Sequence, residues 1–357
     1  MGLLRSNKRT TITGKNLNNK TVNTINIKPK NTKKIINRYH FLIKCRAYIF
    51  KLLQIDLIKT DDELEINEFV QNYLQKRLNK SKGGNNDIKL DYENELLQLR
   101  KKYNFNDKSK EQELLLILKF ITTEIIDNGG LQRYQLASIM GQQSNRGGDS
   151  SKKLMEWILE LNDNVVAASE IKENHFINMS TLEIGCLRID NILSKNKYRK
   201  FIKNIERIDL NSNHPEIAKQ DFLLRDLPSN ETEKFNLISC SLVVNFVPDE
   251  YKRGEMLIRL KQFCLPNGLV FLVLPLSCVE NSRFMTSELL VNEIMGKGLN
   301  FKLLKEHKSN KIVYYLFQNV EGTEINKKYL KQYFNKRNHI DSSSKKNFKM
   351  NNFSISF

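Results

Sequence analysis

Residues that could bind a nucleoside stand at the ends of apolar runs in the second half of the chain. Gly185 closes the first run, and a glycine there lets the backbone approach a ligand closely because it has no Cβ. Asp209 closes the second run, where a carboxylate can accept hydrogen bonds from both ribose hydroxyls of an adenosine. Further along, Asp221 offers an acceptor for an adenine amino group, and Phe222 offers a ring to pack against the base. These residue types in this order predict a nucleoside site.

The chain lacks the glycine-rich loops that hold nucleotide phosphates. Neither GxGxxG, which binds dinucleotide pyrophosphates, nor GxxxxGK[ST], which cradles the phosphates of ATP and GTP, occurs in the sequence. The nucleoside is therefore expected to carry no phosphates, which argues against NAD and ATP.

These positions can meet only if the apolar runs are strands of one sheet. The runs predicted as strands are Thr181–Ile184, Ile205–Leu210, Phe235–Val244, Leu269–Leu274, Phe301–Leu304 and Ile312–Phe317. A predicted helix at Asp249–Phe263, stopped at Pro266-Asn267-Gly268, gives the rhythm of an open, mostly parallel sheet covered on both faces. Ligands bind at the carboxyl ends of the strands in such a sheet. With an antiparallel pair at its edge, the pattern is typical of a Rossmann-like S-adenosylmethionine-dependent methyltransferase domain of the α/β class.

A helical region precedes the predicted sheet. Apolar residues at helical spacing predict helices over 39–57, 61–78, 89–103 and 110–127, and the last one ends at Asn128-Gly129-Gly130. Its apolar stripe consists of Leu114, Leu115, Ile117, Leu118, Ile121 and Ile125. The predicted organisation is a disordered basic arm at 1–38, a helical region at 39–170, the methyltransferase domain at 171–320 and a basic tail at 321–357.

The positive charge is concentrated at the two ends of the chain. The formal net charge is +18; residues 1–60 carry fourteen Lys or Arg against one acid, and residues 323–357 carry eight against two. The 262 residues between these segments have a net charge of −1. This distribution favours basic ends that attach to a polyanion such as RNA while a neutral body acts specifically. The alternative is a pair of solvated tails that keep the protein soluble.

Cysteine use and hydropathy limit the compartment. The five cysteines form no CxxC pair, so they are interpreted as buried small residues and not as disulfides or a zinc site. No apolar run has the length of a membrane span, and the first residues lack a signal-peptide core. A nuclear or cytosolic protein without a metal or a membrane attachment is expected.

Several motifs together resemble the fungal 25S ribosomal RNA adenine-N(1) methyltransferase family. The segments that carry the resemblance are Tyr134–Gln142, Arg146–Lys152, Trp157, Leu182–Cys186, Arg207–Asn211, Gln220–Phe222 and Ser241–Pro248. The run Arg146-Gly-Gly-Asp-Ser-Ser-Lys152 is specific, whereas the strand-end residues are generic to the fold. The resemblance covers roughly residues 110–320.

The resemblance implies a cofactor, a substrate and a place of action. The cofactor would be S-adenosyl-L-methionine, bound by Gly185 and Asp209 with Asp221, Phe222 and Ser241. The acceptor would be N1 of an adenine in large-subunit rRNA or its precursor, in the nucleolus. A monomer is expected, although the resemblance does not give the oligomeric state.

The loop after the first strand departs from the usual pattern of this fold. Most such methyltransferases carry two or three glycines there, but Cys186 follows Gly185 in this chain. Contacts to the methionine moiety could therefore come from Arg146, whose glycine neighbours expose backbone donors that suit a carboxylate or an RNA phosphate equally well. Asp149 or Ser150 can cap the helix that follows.

Asn245 and Phe246 follow the fourth strand, where the acceptor base should enter. Neutral adenine carries no proton on N1, so the reaction needs alignment of acceptor, methyl group and sulfur rather than a general base. We expect Phe246 to stack on a base held out of its helix and Asn245 to hydrogen-bond the adenine edge. The plainer interpretation is a core phenylalanine and a capping asparagine. The scattered histidines, His40, His175, His214, His307 and His339, are expected to be structural.

Other functions remain open from the residues alone. Asn245-Phe-Val-Pro248 echoes the Asn-Pro-Pro-aromatic motif of amino-methylating enzymes, which leaves N6 of adenine as another acceptor. A metazoan S-adenosylmethionine sensor of the TOR pathway is similar to the family in the strand-end residues, so a sensor without catalysis is the alternative from a different class. A ribosome-assembly scaffold with an inactive cofactor site is a third.

Overall fold

The computed structural model of the chain describes residues 29–55, 63–78, 111–141, 149–168, 176–212, 214–333 and 350–357. The helix predicted at 89–103 lies outside these residues, as do Arg146 and the two glycines after it.

Seven strands form one sheet in the described part of the chain, in the order β3-β2-β1-β4-β5-β7-β6. They are β1 (Met179–Ile184), β2 (Ile202–Asp209), β3 (Ala218–Lys219), β4 (Phe235–Ser241), β5 (Cys264–Pro275), β6 (Phe301–Lys308) and β7 (Ile312–Asn319). The first five are mutually parallel, and β7 runs antiparallel to both β5 and β6. The predicted α/β class and the antiparallel terminal pair are confirmed. Because β1 lies between β2 and β4, the carboxyl ends of these three strands share one edge of the sheet.

Both faces of the sheet are buried, which explains why the central strands are apolar without interruption. In β5, residues 269 to 274 are at most 1% exposed, and alternate side chains enter two different cores. One core contains Trp157 and Ile158, and the other contains Leu257 and Phe263. β5 begins at Cys264, immediately after the preceding helix, so the Pro266–Gly268 segment predicted as a stop lies within the strand.

The helices lie on both sides of the sheet and in a separate N-terminal cluster. They are α1 (Pro29–Leu52), α2 (Glu63–Leu78), α3 (Glu111–Asp127), α4 (Gly130–Gly141), α5 (Ser151–Ala168), α6 (Glu250–Phe263), α7 (Ser277–Glu280) and α8 (Lys327–Leu330), with a π-helix at Leu289–Gly298. None of the described helices is long and apolar enough to span a membrane.

α1 begins within the segment predicted as a disordered arm at 1–38. Pro29 occupies the first helical position, where a missing amide hydrogen costs nothing and the fixed φ suits a helix. The asparagines, threonines and lysines of this stretch led to the prediction of disorder. One of them, Thr32, is nevertheless buried in the helix. The helical region therefore extends ten residues further toward the N-terminus than predicted.

The first helices form their own hydrophobic core. All six residues of the stripe predicted in α3 are at most 5% exposed. They pack against Leu42, Ile49 and Phe50 of α1 and against Val70 and Leu74 of α2. The helical region is thus a packed unit whose α1 and α4 also reach the sheet.

Residues 350–357, the end of the segment predicted as a basic C-terminal tail at 321–357, pack against the sheet domain. The buried Arg253 guanidinium donates to the Ser354 carbonyl at 2.5 Å, and the Ser282 hydroxyl donates to the Phe353 carbonyl at 2.5 Å. Phe353 and Ile355 belong to the same core as α6. A buried guanidinium needs acceptors for its donors, and the end of the chain supplies one of them.

Candidate cofactor and acceptor site

Gly185 follows β1 directly, and its backbone has no room for a side chain. Its φ is +73°, and a Cβ at this position would lie 2.6 Å from Val243 Cγ2. The Gly185 amide donates to the Ile208 carbonyl at 2.9 Å, which fixes the loop against β2. Glycine is required here for two reasons, the left-handed backbone and the lack of room.

Polar side chains hold the loop that follows Gly185 in place of further glycines. The half-buried Glu183 accepts from Asn191 Nδ2 at 2.6 Å, and its other carboxylate oxygen lies 3.6 Å from Arg207 Nε. Burial raises the pKa of the Glu183 carboxyl. Asp149, at the start of α5, accepts from the Ile192 amide at 2.6 Å. The unusual loop is thus fixed by side-chain hydrogen bonds that the glycine pattern did not reveal.

Asp209 stands at the carboxyl end of β2, as predicted, and α4 reaches it. Asp209 Oδ1 accepts from Gln135 Nε2 at 2.7 Å and from the Asn211 amide at 3.0 Å. The Gln135 side chain also pairs with Asn211, donating to its carbonyl at 2.9 Å and accepting from its Nδ2 at 2.7 Å. Asp209 Oδ2 has no hydrogen bond among the described residues. Burial raises the pKa of Asp209 to about 6, and the hydrogen bonds from Asn211 and Gln135 oppose that rise.

Asp221 lies near Asp209, but Phe222 does not face the strand edge. The Gln220 amide donates to the Asp209 carbonyl at 2.9 Å, and Asp221 Oδ1 accepts from the Leu223 amide at 2.8 Å. Phe222 is 2% exposed and its ring lies 5.2 Å from that of Phe263 in the core. In contrast to the prediction, this ring has no face available for an adenine, because α6 covers it.

Ser241 meets the start of α5 at the carboxyl end of β4. The Ser241 and Ser150 hydroxyls lie 2.8 Å apart, so either can donate to the other. Asp149 caps α5, since its Oδ1 accepts from the Ser151 amide at 2.9 Å. The segment around Ser150 therefore borders the predicted cofactor site, whereas Arg146 lies outside the described residues and its predicted role stays a prediction.

The chain turns sharply after β4, and this turn places Asn245. Leu242 has a φ of 58°, a left-handed conformation that non-glycine residues rarely adopt and that is concentrated at functional sites. Asn245 is 7% exposed, and its Oδ1 is buried with no hydrogen-bond partner among the described residues. An unpartnered buried acceptor costs about 1–3 kcal/mol, so this oxygen is suited to a ligand that donates a hydrogen bond.

Phe246 belongs to an aromatic cluster that the sequence did not predict. Its ring stacks on His40 of α1, with centroids 3.8 Å apart and an interplanar angle of 11°. The Tyr134 ring meets Phe246 edge-on at 5.8 Å, and Tyr39 stacks on Tyr134 at 4.8 Å. One face of Phe246 is thus already covered by an imidazole.

His40 is neutral in this cluster. Burial, together with the charge of Lys44, lowers the pKa of His40 to about 3. His40 Nε2 is buried without a partner among the described residues. Two unsatisfied polar atoms therefore lie on neighbours of Phe246: one on His40, which stacks on its ring, and one on Asn245, which precedes it in the chain.

The sheet order and these residues define the class of the protein. The sheet is parallel, with an antiparallel pair at its edge, as in a Rossmann-like methyltransferase. Gly185 after β1 and the Asp209 carboxylate at the end of β2 form its nucleoside-binding edge. The residues fit S-adenosyl-L-methionine: Gly185 leaves room that a Cβ would fill, and Asp209 keeps an oxygen available to ribose hydroxyls. Among the described residues, no group of three His, Cys, Asp or Glu is placed to hold a metal ion.

The chain belongs to the 25S rRNA (adenine(2142)-N(1))-methyltransferase family, Bmt2, whose model matches residues 119–355. The 25S rRNA (adenine(2142)-N(1))-methyltransferase of Saccharomyces cerevisiae is 38% identical over 324 residues, which cover 88% of this chain and 91% of the relative. The 25S rRNA adenine-N(1) methyltransferase of Schizosaccharomyces pombe is 37% identical over 205 residues, covering 56% and 70%. The resemblance drawn from the sequence is confirmed.

Solved structures were also compared. A S-adenosylmethionine-dependent methyltransferase from Clostridium acetobutylicum has a TM-score of 0.37 at 14% identity, covering 52% of this chain and 98% of that one. The N-methyltransferase NodS from Bradyrhizobium japonicum with S-adenosyl-l-homocysteine has a TM-score of 0.34 at 14% identity, covering 50% and 93%.

Gly185→Ala is expected to weaken binding of S-adenosyl-L-methionine at least about tenfold. The new Cβ would displace Val243 and reduce the space left for the cofactor beside residue 185. Gly322→Ala is a matched control: its φ is +68°, and nothing lies within 4 Å of its Cβ. Both variants incur the left-handed strain of about 1–2 kcal/mol, but only Gly185→Ala should change the calorimetric Kd. Equal Kd values for the two variants would show that Gly185 does not border the cofactor.

Cofactor affinity is expected to decrease as the pH falls below about 6, the value to which burial raises the pKa of Asp209. Ribose hydroxyls donate to the ionised carboxylate, so protonation competes with binding and the Kd should rise by up to about tenfold per pH unit. Calorimetry between pH 5 and pH 8 measures this, with Asp209→Asn as the control that should abolish the dependence. The same pH profile in both proteins would contradict a role for Asp209 in ribose binding.

Proposed function

We propose that this protein transfers a methyl group from S-adenosyl-L-methionine to N1 of an adenine in 25S rRNA. Family membership supports the proposal, as do the names of both relatives. The observation in the structure that carries it is the unsatisfied Asn245 Oδ1 beside Phe246, at the strand edge that Gly185 and Asp209 also form.

The cofactor would lie across the carboxyl ends of β1, β2 and β4. When bound, S-adenosyl-L-methionine supplies an electrophilic methyl group. Gly185 permits close approach of the backbone, Asp209 accepts from the ribose hydroxyls, and Asp221 accepts from the adenine amino group. Ser241 and Ser150 offer hydroxyl groups toward the remainder of the cofactor.

The acceptor adenine would be held by Asn245 and Phe246. The adenine N6 amino group donates to Asn245 Oδ1, which satisfies a buried acceptor and leaves the lone pair of N1 free to attack. Guanine presents an acceptor, O6, at the corresponding position, so the same oxygen disfavours guanine. No side chain needs to remove a proton, since N1 carries none. The role of the protein is to align the base, and alignment lowers the barrier by removing translational and rotational freedom in advance.

The basic ends would gather the RNA. Residues 1–60 and 323–357 carry the excess positive charge, while the body between them is nearly neutral. Such segments bind phosphates without regard to sequence and supply much of the affinity for nucleic acid. We propose that the protein acts as a monomer on large-subunit rRNA or a pre-ribosome, in the nucleolus, where this RNA is made.

A sensor without catalysis is the alternative function, and two observations disfavour it. Both named relatives are methyltransferases. A sensor would have no use for an unsatisfied acceptor beside the cofactor edge, whereas an enzyme that holds an adenine amino group would.

Asn245→Ala is expected to lower kcat for methylation of a 25S rRNA transcript by about 100-fold, because loss of alignment by even 1 Å has an effect of this size. The Kd for S-adenosyl-L-methionine should stay within about threefold, since Asn245 is assigned to the acceptor base and not to the cofactor. Transfer of labelled methyl groups by the purified protein measures kcat, and calorimetry measures the Kd.

Asn230→Ala is the control, because Asn230 is exposed and lies before the amino end of β4, at the opposite edge of the sheet. Full activity of Asn245→Ala would remove this residue from the acceptor site. Absence of methyl transfer by the wild-type protein on any rRNA fragment would contradict the proposed function itself.

A further inference from the structure

A cavity of about 200 Å³ lies within the helical region, between α1 and the junction of α3 with α4. Three cationic side chains line it: Lys34 and Arg38 from α1, and Arg133 from α4. Tyr39, Asn128, Gly130 and the apolar Ile35, Leu42 and Ile125 also line it. None of the residues that line the cavity is assigned to the cofactor or to the acceptor base, and nothing in the function proposed above requires it.

Two of the three cations have no carboxylate to neutralise them. Arg38 donates to both oxygens of Glu124, at 2.5 and 2.7 Å. Within the described part of the chain, Lys34 and Arg133 form no ion pair. Arg133 Nε is buried without a partner, and its Nη1 reaches only the Asn128 carbonyl at 3.5 Å. The cavity therefore holds an excess of positive charge and an unsatisfied guanidinium N–H.

The other carboxylate close to the cavity is already engaged. Glu63 accepts from the Tyr39 hydroxyl at 3.0 Å and from the Leu131 amide at 2.5 Å. The buried Arg46 also interacts electrostatically with Glu63. Glu63 is thus engaged by a hydroxyl and a backbone amide, and within the described part of the chain no ion pair joins it to Arg133 or Lys34.

The aromatic cluster connects this cavity to the acceptor site. Tyr39 lines the cavity and stacks on Tyr134 at 4.8 Å, and Tyr134 meets Phe246 at 5.8 Å. Two ring contacts therefore separate the cavity from the residue assigned to stack on the target base.

We propose that this cavity binds a backbone phosphate of a nucleotide next to the acceptor adenine, with Arg133 and Lys34 as its ligands. The proposal rests on the proposed function, since it identifies how the same site holds its RNA. A guanidinium presents parallel N–H donors that match phosphate oxygens, and phosphate contacts fix the register of a strand on a protein. α1 and α4 thus contribute an RNA-binding surface as well as a hydrophobic core.

The test compares three variants with the wild-type protein on a 25S rRNA fragment that the wild type methylates. Arg133→Gln should raise the Kd for this RNA about tenfold and lower the slope of log K against log salt by about 0.7 to 1, the value for one phosphate contact. Arg133→Lys keeps the charge, so it should retain most of the slope. Lys119→Gln removes a charge from an exposed position of α3 outside the cavity and should leave the slope near that of the wild type.

The Kd for S-adenosyl-L-methionine, measured by calorimetry, should be the same in all of these proteins. If Arg133→Gln does not fold, Lys34→Gln provides the same test, because Lys34 is exposed and contributes little to packing. Equal slopes for Arg133→Gln and Lys119→Gln, with methylation by the wild type intact, would overturn the phosphate site and leave the proposed function standing. Absence of methylation by the wild type would overturn both.

Discussion

The structure of the site depends on the hydrogen bond between Gln135 of α4 and Asp209 at the end of β2. It joins the helical region to the edge of the sheet where the cofactor is expected to bind. The same amide side chain pairs with Asn211, so three hydrogen bonds hold α4 against two residues, Asp209 and Asn211, at the carboxyl end of β2. With α4 in this position, Tyr134 lies against Phe246, and α1 places His40 on the other side of the same cluster. The helical region is therefore a wall of the site as well as a domain that precedes it.

This arrangement separates two tasks within one chain. Under the proposed function, the nearly neutral body holds the adenine edge at a buried, partly unsatisfied site, and the basic ends would attract phosphates. The two tasks meet at α1, which carries basic residues on one side and His40 on another. The docked C-terminal residues modify this picture, because Ser354 satisfies the buried Arg253. Residues 350–357 are thus packed on the body of the protein, although they lie at the end of the basic C-terminal segment of the sequence.

Local signals in the sequence predicted the parts of the site that depend on single strands. Gly185 and Asp209 could be predicted because a glycine or a carboxylate directly after an apolar run indicates a ligand site at a strand end. The sheet that brings these two residues together follows from the apolar runs themselves. Phe222 was misplaced because its burial depends on α6, more than thirty residues further along the chain. Gln135 and His40 were missed as site residues for the same reason: Gln135 meets Asp209 across 74 positions of sequence, and nothing in the pattern of either helix indicates the contact. The predicted domain boundaries near both ends of the chain were misplaced, because the polar composition of these segments gave no sign that some of their residues are packed.

The most direct test of the account is nucleoside analysis of 25S rRNA from cells that lack this protein and carry either the wild-type chain or Gly185→Arg. The account predicts that one N1-methyladenosine is absent in the deletion, restored by the wild type, and still absent with Gly185→Arg, because an arginine would fill the cofactor surface. An unchanged N1-methyladenosine content in the deletion would contradict the rRNA assignment and favour a cofactor-binding protein without catalysis. Full restoration by Gly185→Arg would contradict the placement of the cofactor at the carboxyl end of β1.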